Sequence, residues 1–148
     1  MYFARGTPAP AAAASFRNAR RFFFSCKLMR FPQSVRRGPG HDWCVVRLGA
    51  PGSIRRVEVD TAYFKGNVPE SCSLEVCSAS RNVTDSSALV GLAWKEILPR
   101  TKLKADSLHV YEKEIMDAGE VTHARFHIYP DGGIARLRIF GRLARKSS

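Results

Sequence analysis

From Asp42 onward, apolar residues recur at every second position rather than every third or fourth. In Ile54 to Thr61, Val57 and Val59 alternate with Arg56, Glu58 and Asp60, the pattern of a strand with one face buried. Trp43 to Leu48, Ser71 to Val76, Thr122 to Tyr129 and Ile134 to Phe140 read the same way. Clusters of turn-forming residues separate them: Gly49-Ala50-Pro51-Gly52, Gly66-Asn67-Val68-Pro69 and Pro130-Asp131-Gly132-Gly133. The polar stretch from Ser78 to Ala88 reads as a surface loop, and Glu112 to Gly119 has room for one helical turn at most. Short strands at this spacing, with no alternating helices, predict an all-β antiparallel sandwich or jelly roll.

The last two strands invite a specific pairing. Asp131-Gly132 is the dipeptide that a two-residue type I′ turn prefers, since both of its positions need positive φ. Such a hairpin sets Phe126 opposite Leu137, Ala124 opposite Ile139 and Ile128 opposite Ala135 on the core side. On the other face it sets Arg125 opposite Arg138 and His127 opposite Arg136. Opposed arginines repel unless an acid or an anion lies between them. Two outcomes are open: the side chains diverge or meet Glu58 and Asp60 from another strand, or the face binds a carboxylate.

At 148 residues with 45% apolar and 10% aromatic content, the chain can bury one core and hardly two. The net charge of +11 is unevenly spread. Residues 1–40 hold Arg5, Arg17, Arg20, Arg21, Lys27, Arg30, Arg36 and Arg37 with no acid, whereas 41–141 hold 13 bases and 13 acids. A domain without net charge argues against binding duplex nucleic acid, which needs the positive charge on the fold itself. Residues 1–40 therefore form a basic, disordered leader: a mitochondrial transit peptide, or a leader carrying no address that leaves the chain cytoplasmic. The basic tail 143–148 ends in Lys146-Ser147-Ser148, not the peroxisomal Ser-Lys-Leu. No apolar run nears the roughly 20 residues a membrane-crossing helix needs, so a soluble chain without a membrane partner is expected. Of the four cysteines, Cys72 and Cys77 point to opposite faces of one strand, Cys44 sits in an apolar run and Cys26 lies in the leader. That placement suggests neither a disulfide framework nor a metal site, and His41, His109 and His127 show no metal-ligand spacing.

Three blocks add a resemblance. His41-Asp42-Trp43-Cys44-Val45-Val46-Arg47-Leu48-Gly49-Ala50-Pro51-Gly52, Val57-Glu58-Val59-Asp60-Thr61-Ala62-Tyr63-Phe64-Lys65-Gly66-Asn67, and Thr122-His123-Ala124-Arg125 running on to Tyr129-Pro130-Asp131-Gly132-Gly133-Ile134-Ala135-Arg136-Leu137-Arg138 resemble the allantoicase family in content, order and spacing. The resemblance covers 41–142 and implies one repeat, most like the second, of a family built from two homologous jelly-roll repeats with a galactose-binding-like fold. It implies a hydrolase acting on linear amidines in allantoin and purine catabolism, converting allantoate and water to ureidoglycolate and urea. Allantoate carries a carboxylate and two ureido groups on one carbon, so cations must hold the anion and an acid or base must assist loss of urea. Under that reading Arg125 and Arg136 clamp the carboxylate, Asn67 contributes to substrate binding, and Asp60 and His123 handle protons. Each has a plainer role as well: Asp60 and Asn67 as turn residues, His123 as a satisfied strand-end histidine. The cofactor is left unknown. The alternative is a catalytically inactive single-repeat binding module or a truncated product, and a working site would call for a homo-oligomer or a second repeat.

Overall fold

The computed structural model describes the backbone of residues 21–30 and the full residues 40–80 and 91–144. The described residues form seven strands and no helix: β1 (Arg21–Arg30), β2 (Asp42–Asp60), β3 (Ser71–Cys77), β4 (Lys95–Lys102), β5 (Leu108–Tyr111), β6 (Val121–Tyr129) and β7 (Gly133–Leu143). All pair antiparallel in the order β1-β7-β2-β6-β3-β4, with β5 also on β2. The predicted all-β sandwich is present, and its organising element is one that the alternation pattern divides in two. Trp43 to Leu48 and Ile54 to Thr61 read as separate strands, yet β2 runs through both as a single strand of 19 residues. Gly49-Ala50-Pro51-Gly52 bends it instead of reversing it, and the register against β6 slips between Arg47 and Gly52. The first half of β2 pairs with β6, and the second half pairs with β7 and β5. The sheet thus curls over, and side chains from both parts fill one core: Leu74, Phe126 and Ile128 from one side, Val57, Val59, Leu137 and Ile139 from the other, all fully buried.

The bend excludes the predicted final hairpin. β6 pairs with β2 and β3, and β7 pairs with β1 and β2, so the two strands are not neighbours. Gly132 has a φ of 124°, and Asp131 is not among the residues with positive φ, so no type I′ turn forms. The connection docks instead on the 61–70 loop, where the Gly133 N–H donates to the Asn67 carbonyl at 3.0 Å. Phe64 is a half-buried ring laid on Gly133, where any Cβ would collide with it. Alternation fixed which faces of the two strands turn inward but could not name their partners, because β2 offers a longer continuous edge to each.

Residues 21–30 were expected in a disordered leader; their backbone instead forms β1, paired with β7 from Arg21 opposite Arg142 to Arg30 opposite Gly133. The transit-peptide reading otherwise falls on residues 1–20 and 31–39, and much of the 78–88 loop and the 145–148 tail likewise lie outside the described residues. Strands β4 and β5 were not anticipated, and the 112–119 segment contains turns but no helix. Cys72 and Cys77 are free thiols, and with Cys44 they are buried. Burial pushes the Cys72 thiol up to about 12, which leaves it an inert core group.

A Cβ at Gly132 would sit 2.9 Å from both the Asn67 carbonyl oxygen and the Pro69 nitrogen, on a backbone that side chains rarely adopt. Gly132→Ala is therefore expected to cost about 1–3 kcal/mol in urea unfolding. Gly40→Ala, which meets open space, should stay within about 0.5 kcal/mol.

Candidate functional site

Four strands place alternate side chains on the outer face of the β2–β6–β3–β4 part of the sheet. Val45 and Glu75 are the register partners of Arg125, and Trp43 and Ser73 those of His127. Glu75 is the only acid of β3, and it organises the face. Its Oε2 accepts from Arg125 Nε at 2.7 Å, from Arg125 Nη2 at 2.6 Å and from His127 Nε2 at 2.7 Å. Its Oε1 accepts nothing among the described residues. Burial raises the Glu75 carboxyl, but the bonds from Arg125 and His127 outweigh it and hold the group below the usual carboxylate range. The carboxylate is therefore ionised, and the repulsion foreseen around Arg125 is relieved by an acid of the chain itself.

Aromatic rings frame this pair. The Arg125 guanidinium lies 4.4 Å from the Trp94 ring centroid and 5.9 Å from that of Trp43. Arg100 lies 4.2 Å from the centroid of Tyr129 and donates through Nε to Ser71 Oγ at 2.7 Å. Its terminal nitrogens have no partner among the described residues, and the residue is exposed. Tyr129 is fixed by a 3.0 Å bond between its hydroxyl and Ser73 Oγ. His41 stacks on Tyr129 with centroids 4.5 Å apart, and its Nε2 meets His127 Nδ1 at 2.8 Å.

The five residues singled out from sequence divide between two places. Arg125 and His123 share the face just described. His123 is completely buried, with Nδ1 bonded to Thr122 Oγ1 at 2.8 Å and Nε2 without a partner among the described residues. Burial above all, with the charge of Arg47 second, depresses its pKa, so the ring is neutral and closed to solvent. Asp60 and Arg136 are opposed across β2 and β7 in the other part of the sheet. Asp60 accepts the Ala62 N–H at 3.0 Å, which is the turn-capping role. Arg136 makes no ion pair among the described residues. Asn67 approaches β7 through its backbone carbonyl. Arg125 and Arg136 thus stand on strands that do not pair, and the proposed joint clamp is not assembled. The opposed arginines do not exist either: Arg138 faces Glu58, with Nη1 to Oε2 at 2.9 Å, which is the plainer of the two outcomes the sequence left open.

Sequence reading missed Glu75, Tyr129 and Arg100, gave His41 no role, and set His127 on the candidate face only as a neighbour of Arg136. The signal was present in part, since Arg125, His127 and Tyr129 alternate on one strand and Glu75 is the lone acid on another, but only the true register joins them.

The family description "Allantoicase repeat" matches residues 27–144. The chain belongs to the allantoicase family. A protein of Photobacterium profundum named probable allantoicase is 47% identical over 106 residues, which is 72% of this chain and 32% of that protein. One of Rhizobium meliloti with the same name is 48% identical over 113 residues, covering 74% and 33%. The chain therefore spans about a third of the length of the curated allantoicases it matches. Among solved structures, the allantoicase of Saccharomyces cerevisiae superposes with a TM-score of 0.59 at 27% identity over 80% of this chain and 40% of that one. An F5/8 type C domain from Bacteroides fragilis, 16% identical with a TM-score of 0.50 over 70% of this chain and 67% of that one, shares the fold alone. The β1 segment falls partly inside the matched allantoicase repeat.

Three histidines of this allantoicase repeat, His41, His123 and His127, are held below their ordinary value of 6.5, each mainly by burial. The unfolded chain then binds more protons than the folded one as pH falls below that value, so the stability they contribute is present above it and is lost through the folded pKa values. The melting temperature should fall between about pH 7 and about pH 5. His123→Asn should flatten that slope, and a slope unchanged by the substitution would show that His123 is not one of the groups responsible.

Proposed function

We propose that this chain carries the substrate face of an allantoicase-type hydrolase, which converts allantoate and water to ureidoglycolate and urea. Family membership supports the reaction, and one observation supports the place. On the outer face around Glu75, the groups whose bonding capacity the described residues leave unspent are those a ureido acid needs. The terminal N–H groups of Arg100 suit a carboxylate. The Oε1 of an ionised Glu75, which accepts nothing from the described residues, suits a ureido N–H donor. Arg125 keeps Glu75 charged and in position, and does not itself grip the anion.

A second reading has its own support in the length of the relatives, more than twice that of this chain. Under it the repeat binds the ureido acid, and turnover requires a second repeat or a second copy to close the site. Urea release measured on the purified chain, with its oligomeric state determined in parallel, separates the two.

Both readings expect binding. Allantoate should raise the melting temperature, by about 2–4 °C for each ~1 kcal/mol of ligand stabilisation. Arg100→Ala, which removes an exposed side chain, should weaken binding by about tenfold or more while the unliganded melting temperature stays nearly unchanged. A complete absence of thermal shift at millimolar allantoate would count against the face as its site.

A further inference from the structure

The hydrogen bonds around Glu75 fix proton positions two residues away. His127 Nε2 lies 2.7 Å from Glu75 Oε2. An ionised carboxylate only accepts, so this nitrogen carries the hydrogen. A neutral His127 then has a bare Nδ1, which must accept from its neighbour at 2.8 Å, His41 Nε2. His41 Nε2 accordingly donates, and a neutral His41 is left with a bare Nδ1. That atom has no partner among the described residues, and the ring is only half-buried. The stack on Tyr129 holds the ring in plane while its reactive nitrogen stays open.

We propose that His41 is the general base and acid of this face, with His127 and Glu75 as the positioning pair that fixes its tautomer and stabilises its protonated form. This rests on the reading of the face as an allantoate site. His41 Nδ1 takes a proton from a water whose oxygen forms the new C–O bond at the carbon bearing the ureido groups. The C–N bond to one ureido group breaks, and His41 returns the proton to the departing nitrogen. One water is consumed, one urea leaves and the neutral imidazole is restored. While His41 is protonated, its Nε2–H still donates to His127, whose Nε2–H still donates to Glu75, so the positive charge is linked to a carboxylate without moving any heavy atom.

The charged groups around the relay keep it in the base form near neutral pH. Burial is the main influence lowering both imidazoles; Arg100 and Arg125 add to it at His41, while Asp42 and Glu75 oppose it. At His127, Glu75 opposes burial, and Arg125 and His41 reinforce it. Tyr129 is the remaining ring of the stack.

Ring ¹⁵N NMR of the full chain tests this directly. Near pH 7.5, both His41 and His127 should appear as Nε2–H tautomers, and their titrations should be coupled, with His41→Gln reducing His127 to a single independent step. Allantoate should shift the His41 ring signals, and His41→Gln should leave allantoate affinity within about threefold. In the urea-release assay, His41→Gln should lower kcat about 100-fold with KM little changed, and His127→Asn should displace the acid limb of the pH profile. A chain without measurable turnover is judged on the ring signals. An Nδ1–H tautomer at His41, or allantoate that binds while the His41 signals stay fixed, overturns the relay and spares the functional reading. Allantoate that does not bind overturns that reading, and the base role with it.

Discussion

The bend of β2 at Gly49-Ala50-Pro51-Gly52 is the constraint from which the other features follow. A strand that continues through a bend can give its first half to β6 and its second to β7, so both parts of the curled sheet hang from one covalent segment. Antiparallel pairing then places Phe126 and Leu137 in the same core although their strands never touch. It also separates the two outer faces. Arg125 and Arg138, which a local hairpin would press together, each lie across from a carboxylate on a strand distant in sequence, Glu75 and Glu58. Charge balance in this chain is therefore a product of topology. Of the 13 acids in the 41–141 region, these two relieve the crowding of cations on the two sheet faces.

The two ion pairs do different work. Glu58 takes Arg138 on one oxygen and Arg56 on the other, at 2.9 and 2.7 Å, so its capacity is shared between two structural partners. Glu75 gathers three donors on one oxygen and leaves the other without a donor among the described residues. Half-buried ion pairs give little net stability, because desolvation offsets much of their attraction. What the Glu75 arrangement provides is definition: an ionised carboxylate dictates the tautomer of His127, and His127 that of His41. A glutamine in that place would fill the same space but could donate or accept, and the proton positions along the row would no longer be determined.

Fold class was legible because alternation is a local property: which residues of the β3, β6 and β7 segments face inward follows from a period of two. Pairing was not legible, because the Asp131-Gly132 signal for a tight turn competes with contacts that only the assembled chain offers, among them the Asn67 carbonyl at Gly133 and the long edge of β2. The site followed the pairing. Arg125 was recognisable as a residue of interest, but its partner lies 50 positions away, and nothing local connects them. Asp60 and His123 drew attention by residue type, and their surroundings, a backbone N–H for one and complete burial for the other, give them structural work. His41 and Arg100 were given no role because His41 precedes the first residue of β2 and Arg100 lies in β4, a strand that alternation did not reveal.

Exposure is what distinguishes this face from a finished hydrolytic site. Proton transfer through an imidazole and binding of an anion by a guanidinium both strengthen when water is excluded, since charge interactions grow as the local dielectric falls. Here Arg100 is exposed and His41 half-buried, while of the groups that position them His127 is buried and Glu75 and Tyr129 are half-buried. The support is rigid and the reactive atoms are open on one side. In such an arrangement a cover need supply no new catalytic group to have a large effect: excluding water over His41 Nδ1 and the Arg100 terminus would strengthen both. The relatives are more than twice as long as this chain, so they have ample chain from which to build such a cover, and the part seen here is the half of the problem that a single sheet face can solve, namely where the protons and the charges stand.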